Sequence, residues 1–162
     1  VILPPMNEYL LEAKEELKRL EHIIYVSLKY TRTVDVLTNA LHRLVGTFDL
    51  IIEAFLEKAR EEGRLAVLPK SPGLRVTKMR EQYPEDKEIA RYLEFYTFIR
   101  NLLKAPHQRR QEYRRHVGLI VEFEHSTAEV NIDNLVNCEK YVHQFFRYAW
   151  DTIVGKEVDE FA

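Results

Sequence analysis

The sequence predicts an all-α or nearly all-α fold, an antiparallel bundle of four to five helices. Three observations carry this. Apolar residues recur at three-, four- and seven-residue steps over long stretches, the period of helices with one buried face. Only 5 glycines and 6 prolines stand in 162 residues, too few for a many-turned sandwich. Hydrophobic residues make up 46% and charged residues 31%, the profile of a folded globular chain. One domain, residues 1–162, is expected. A chain of this size buries about 70% of its unfolded surface.

The first helix is expected over about Asn7 to Lys29, opened by Pro4-Pro5 and capped by Asn7. Leu10, Leu17, Leu20, Ile24 and Leu28 form its apolar face. Thr31-Arg32-Thr33 breaks it, and Thr33 is placed to cap a second helix ending near Gly63. Leu37, Leu41, Leu44, Phe48, Ile51, Ile52 and Phe55 give that helix a wide apolar stripe. Residues 64–84 contain Pro69, Pro72, Gly73 and Pro84 and read as a loop, with a short helical piece near Arg75–Gln82 as the alternative. A third helix is expected over about Glu85–Lys104, ended by Pro106.

His107 to Arg115 has few breakers and reads as helical. Two readings compete over 117–132. Val117, Leu119, Val121 and Phe123 alternate, as do Val130 and Ile132 after the polar turn Glu124–Thr127, which favours one short β-hairpin. A helix continuing through Phe123 is the rival. Asp133 is the expected cap of a final aromatic helix over about Asn134–Val154, and 155–162 is the expected frayed tail.

Several chemistries are excluded early. The single cysteine, Cys138, can form neither an internal disulfide nor a Cys-rich zinc site, so the cytoplasm is the default location. No charge-free apolar run approaches the ~18 residues of a membrane span, and no membrane role is expected. Val1-Ile2-Leu3 is too short for a signal-peptide core, and the absence of a leading Met leaves the native start open. Abundant Glu, Lys and Arg with few Gly, Cys and Met point towards a thermophile. Gly46, Gly63, Gly73, Gly118 and Gly155 spell neither a dinucleotide fingerprint nor a phosphate loop, and no cofactor is expected. The one Glu-x-x-His, Glu122 to His125, falls short of a bundle di-iron site, which needs two such motifs and two further glutamates. No metal is expected either.

The formal net charge of −2 conceals one basic stretch, Lys104 to His116. Lys104, Arg109, Arg110, Arg114 and Arg115 stand there against Glu112, a net of +4 that leaves the other residues at −6. If the stretch is helical, Arg110 and Arg114 lie one turn apart. A guanidinium holds a phosphate bidentately while staying charged, and an imidazole exchanges a proton near neutral pH. Those are the two functions that RNA cleavage by an internal 2′-hydroxyl requires. The plainer reading is a solvated basic face with His116 satisfied by a carboxylate or carbonyl. The aromatics Tyr92, Phe95, Tyr96, Phe98, Phe145, Phe146, Tyr148 and Trp150 read as core or dimer interface in preference to an RNA-stacking surface.

Arg110, five intervening residues and His116, late in a helical bundle, resemble the Arg-x(4–6)-His motif of the HEPN superfamily (higher eukaryotes and prokaryotes nucleotide-binding), of prokaryotic or archaeal type. The run Asn134 to Phe146 is similar to that superfamily's closing helix. The resemblance implies a small helical homodimer that binds RNA and, in many members, cleaves it without a metal. Other members are inactive RNA-binding or toxin–antitoxin partners. Carried over, it implies that Arg110 contacts the scissile phosphate and His116 handles protons or orients it. Gln111 takes the polar place after the Arg. Arg109 with six intervening residues is the alternative register. His107, Arg109, Gln111, Arg114 and Arg115 would add phosphate contacts. This sequence departs from the pattern in its extra arginines and in Val117-Gly118, where a subset of the family carries a Tyr. The competing reading is a non-catalytic helical dimer or interaction module whose basic segment meets an acidic protein partner.

Overall fold

Asn7 caps the first helix as expected, its side chain accepting from the Leu10 amide at 3.2 Å. The computed structural model describes residues 7–155, so the Pro4-Pro5 opening and the tail expected beyond Gly155 lie outside the described residues. α1 (Glu8–His22) passes through one π-helical turn (Ile23–Ser27) into the short α2 (Leu28–Tyr30). Leu10, Ala13, Leu17, Leu20, Ile24 and Leu28 are buried along it.

Thr33 then caps α3 (Val34–Glu61), accepting from the Val36 amide at 3.3 Å. Gly63, at φ 77, reverses the chain at the far end. Its amide donates to the Arg60 carbonyl at 3.1 Å and the Arg64 amide to the Ala59 carbonyl at 2.9 Å, the paired bonds of a Schellman stop.

The loop expected over 64–84 is corrected by α4 (Pro72–Gln82), which contains the alternative helical piece near Arg75–Gln82. Ser71 caps it from the Leu74 amide at 3.2 Å. Pro72 stands in the first turn, where an amide would have no intrahelical partner in any case. The residue that reads as a breaker therefore starts the helix, and Met79 anchors it in the core. α5 (Lys87–Lys104) begins at Asp86, whose carboxylate accepts from the Glu88 and Ile89 amides at 3.0 and 3.1 Å.

The helix expected over His107–Arg115 is also corrected. Pro106 forces Ala105 into an extended conformation (φ −79, ψ 153), and the chain stays extended as β1 (His107–Arg110). β1 pairs antiparallel with β2 (Gly118–Glu122), and β2 with β3 (Thr127–Asn131), in the order β1-β2-β3. Over 117–132 the hairpin reading stands and the continuous helix does not. Leu119, Val121 and Val130 share the buried face, as period-two alternation requires. All four β1 residues are exposed, so β1 is an edge strand covered with charge. The fold is mostly helical with a small sheet, not a pure all-α bundle.

α6 (Ile132–Ile153) is capped by Asn131, not by Asp133. Asn131 ends β3 in extended conformation and accepts from the Asn134 amide at 2.8 Å, while the Asn134 side chain accepts from the Asn131 amide at 3.1 Å. Asp133 sits inside the first turn. α6, α1, α4, α5 and β2 all pack on α3. Phe48, Phe55, Tyr92 and Phe145 meet there, with centroids 5.3 Å apart for Phe48–Phe145 and 4.5 Å for the stacked Tyr92–Phe145 pair. These aromatics are core. Among the described residues no helix is long and apolar enough to cross a membrane.

Asn131→Ala removes the side-chain oxygen that accepts from the Asn134 amide, leaves the bond from its own backbone amide to Asn134 in place, and is expected to cost about 1 kcal/mol of unfolding free energy. Asp133→Ala removes only a charge near the helix start and is expected to cost less. Denaturant midpoints measure both, and a larger loss for Asp133→Ala would refute the assignment of the cap.

Candidate functional site

The turn after β1 is built against its local preferences. Gln111 and Tyr113 have φ of 49 and 66, the left-handed region, although neither is Gly or Asn. Such residues cost roughly 1–3 kcal/mol each and persist only where the surroundings hold them. Here three long-range ties do so. The Tyr113 amide donates to the Arg32 carbonyl at 2.6 Å. Glu112 Oε1 accepts from the Val34 amide, in the first turn of α3, at 3.1 Å. Arg109 bridges Glu112 at 2.8 Å and Asp35 at 3.0 Å. The Arg109 hydrogen bond, reinforced by the Val34 amide, holds the Glu112 carboxyl below the usual carboxylate range. Glu112 and Asp35 in turn raise Arg109.

Strand alternation sends Arg109 and Arg110 to opposite faces of the sheet. Arg110 lies opposite Gly118 in the register, with Nη1 3.3 Å from Glu129 Oε1. Gly118 leaves space for that pair. A Cβ at 118 would stand 3.3 Å from Glu129 Oε1 and 3.5 Å from the Val130 carbonyl oxygen.

Beside this pair opens a cleft of about 560 Å3. It is lined by Arg32, Arg110, Arg115 and His116, with Gln111, and by Glu129 and Asp133, with Asn131 and Ile132. Four sequence candidates, Arg110, Gln111, Arg115 and His116, therefore come together, and His116 is exposed. Arg109 is held on the other face by its carboxylates. Arg114 and His107 are exposed but do not line the cleft. The helical pairing of Arg110 with Arg114 is corrected, because one is in a strand and the other in a turn. Lys104 lines a separate groove with Arg80 and Arg100.

Sequence reasoning missed Arg32, Glu129 and Asp133 as cleft residues; Arg32 comes from the break before α3, and Glu129 and Asp133 from the junction of β3 and α6. The break at Thr31-Arg32-Thr33 and the capping role read for Asp133 were the only signals for them. Arg110 and Glu129 are 51% and 41% exposed in their side chains, so their bridge is worth about 0–1 kcal/mol and an arriving anion displaces Glu129 at little cost. Cys138 offers no alternative nucleophile, since burial pushes its thiol up to about 11. Among the described residues no group of three or more His, Cys, Asp or Glu is placed to hold a metal ion. No protein-family model, no curated protein and no solved structure matches this chain.

Glu112 supplies a pH test. Its depressed carboxyl contributes stability that is present above the unfolded carboxylate range, near pH 4–5, and is lost as pH falls through the folded value. Glu112→Gln keeps an oxygen for the Val34 amide but loses the charge. The variant is expected to melt below wild type at pH 7, with the difference closing as pH falls below about 4. A constant difference in Tm from pH 7 to 3 would show that the charge does not hold the turn.

Proposed function

We propose that this cleft binds RNA and that Arg110 and His116 cleave it without a metal, in the manner of the HEPN domains that the Arg-x5-His spacing resembles. The observation that carries the reading is that these two residues, with Arg32 and Arg115, line one open cleft. In the reaction the 2′-oxygen of one nucleotide bonds to the adjacent phosphorus as the bond to the 5′-oxygen breaks. The 2′-hydroxyl proton passes to His116 Nδ1 or Nε2, and the leaving 5′-oxygen takes a proton from water or from the same group in a second copy. The products are a 2′,3′-cyclic phosphate and a 5′-hydroxyl. Arg110 offsets the charge gathering on the phosphate oxygens, with Arg115 and Arg32 holding the flanking backbone. A homodimer would place two Arg–His pairs on one strand, which a single pair serves thinly.

A second reading has its own observation. Arg109 and Arg110 already face carboxylates of other elements, as they would in a non-catalytic interaction module with a mixed-charge face. One assay separates the two. Purified protein is incubated with single-stranded and structured RNAs, with and without EDTA, beside Arg110→Ala and His116→Ala. The nuclease reading expects cleavage that survives chelation, leaves cyclic phosphate ends and falls about 10²–10⁴-fold in His116→Ala. Equal activity in wild type and His116→Ala would end that reading.

A further inference from the structure

We infer a base-binding subsite at Tyr113, so that the RNA segment taken by the cleft is unpaired where it crosses this turn. The inference rests on the RNA reading above and adds the form of the substrate to it. Tyr113 is 76% exposed, an unusual state for a large aromatic side chain. It is not part of the cleft's lining but stands on the turn between Gln111 and Arg115, which both line it. Neither it nor Tyr30 belongs to the hydrophobic core. Tyr30 is 84% exposed and lies two residues before Arg32, the residue whose carbonyl takes the Tyr113 amide.

The backbone holds this display in place. Tyr113 is left-handed, its amide is tied to Arg32, and its neighbour Glu112 is tied to the start of α3. The ring is thus displayed from a fixed backbone. An exposed ring on a turn that also carries arginines is the pairing that single-stranded nucleic acid uses, with bases stacking on the ring and phosphates on the guanidinium groups. A duplex cannot use it, because its base faces are already stacked.

Arg32, Arg114 and Arg115 make no salt bridge among the described residues, so they are available to phosphates on either side of the ring. An acidic peptide would use the arginines and leave the ring without a partner.

The test uses oligoribonucleotides with 2′-O-methyl riboses, which cannot be cut, carrying one 2-aminopurine. Wild type and Tyr113→Phe are expected to bind the single strand in preference to a hairpin duplex and to quench the 2-aminopurine. Tyr113→Ala is expected to bind about 5- to 100-fold more weakly without the quenching, while its melting temperature and oligomeric mass match wild type. Equal binding by Tyr113→Ala and wild type overturns the subsite and leaves the RNA reading standing. Binding of polyglutamate but of no RNA overturns both. A change of oligomeric mass in Tyr113→Ala assigns the ring to a subunit interface and overturns the subsite.

Discussion

The amides at the start of α3 must find acceptors, and this requirement ties the fold to the cleft. Leu37, Leu41, Leu44, Phe48, Ile51, Ile52 and Phe55 are each 1% exposed or less, so most of α3 is enclosed by other elements. A helix buried on that scale leaves unpaired amides at one end and unpaired carbonyls at the other. Gly63 settles the second end locally. At the first, Thr33 takes the Val36 amide and Glu112, 78 residues away in sequence, takes that of Val34. The bond that completes the central helix is thereby the bond that fixes the turn carrying Tyr113, Arg115 and His116. This is why two left-handed residues are tolerated there without glycine.

A single step along β1 then decides what each arginine does. Arg109 points to the α3 side and is taken up by Asp35 and Glu112. Arg110 points to the other side and meets Glu129 over the space that Gly118 leaves. A count of charges along the segment treats these cations alike, but the sheet and the turn divide them. Arg109 serves the fold, Arg110 is held loosely in the cleft, and Arg114 and Arg115 are unpaired among the described residues. On the proposed reading, the pull on an anion would come from which cations stay free of carboxylates, more than from the net charge of the stretch.

The long helices were legible because each buries one face and the caps at Asn7 and Thr33 are short-range chemistry. The start of α4 was hidden by Pro72 and Gly73, which look like breakers unless they are placed at a helix start, while its later part was open as the alternative near Arg75–Gln82. β1 was hidden for a different reason. It has no apolar alternation of its own, and its conformation comes from Pro106 on one side and from pairing with β2 on the other. Asp133 looked like the cap because the end of β3 could not be set to within two residues. At the site, the Arg110–His116 pairing was legible as spacing. The carboxylates were not, since Glu129 and Asp133 reach the cleft only through the hairpin and the start of α6. Nothing in Gln111-Glu-Tyr113 signals a left-handed backbone, because that conformation is imposed by the ties to Arg32 and Val34.

The mixed charge of the cleft also bears on what would lie in it on the proposed reading. Arg32, Arg110, Arg115 and His116 share its lining with Glu129 and Asp133, and Arg110 already meets Glu129. A phosphate backbone would be held by the arginines and repelled by the carboxylates. A single strand would keep its phosphates on the arginines and turn its bases towards the exposed ring of Tyr113 and the Asn131 amide. A duplex presents phosphates on two sides, and seating one strand on the arginines would bring the other strand's charge towards the carboxylates. Arg110 can serve one strand's phosphate or Glu129, not both, so that strand would leave Glu129 and Asp133 to meet the second strand's charge without a cation between them. On the proposed reading the two carboxylates would thus restrain strand number, with the same residues that shape the hairpin and open α6.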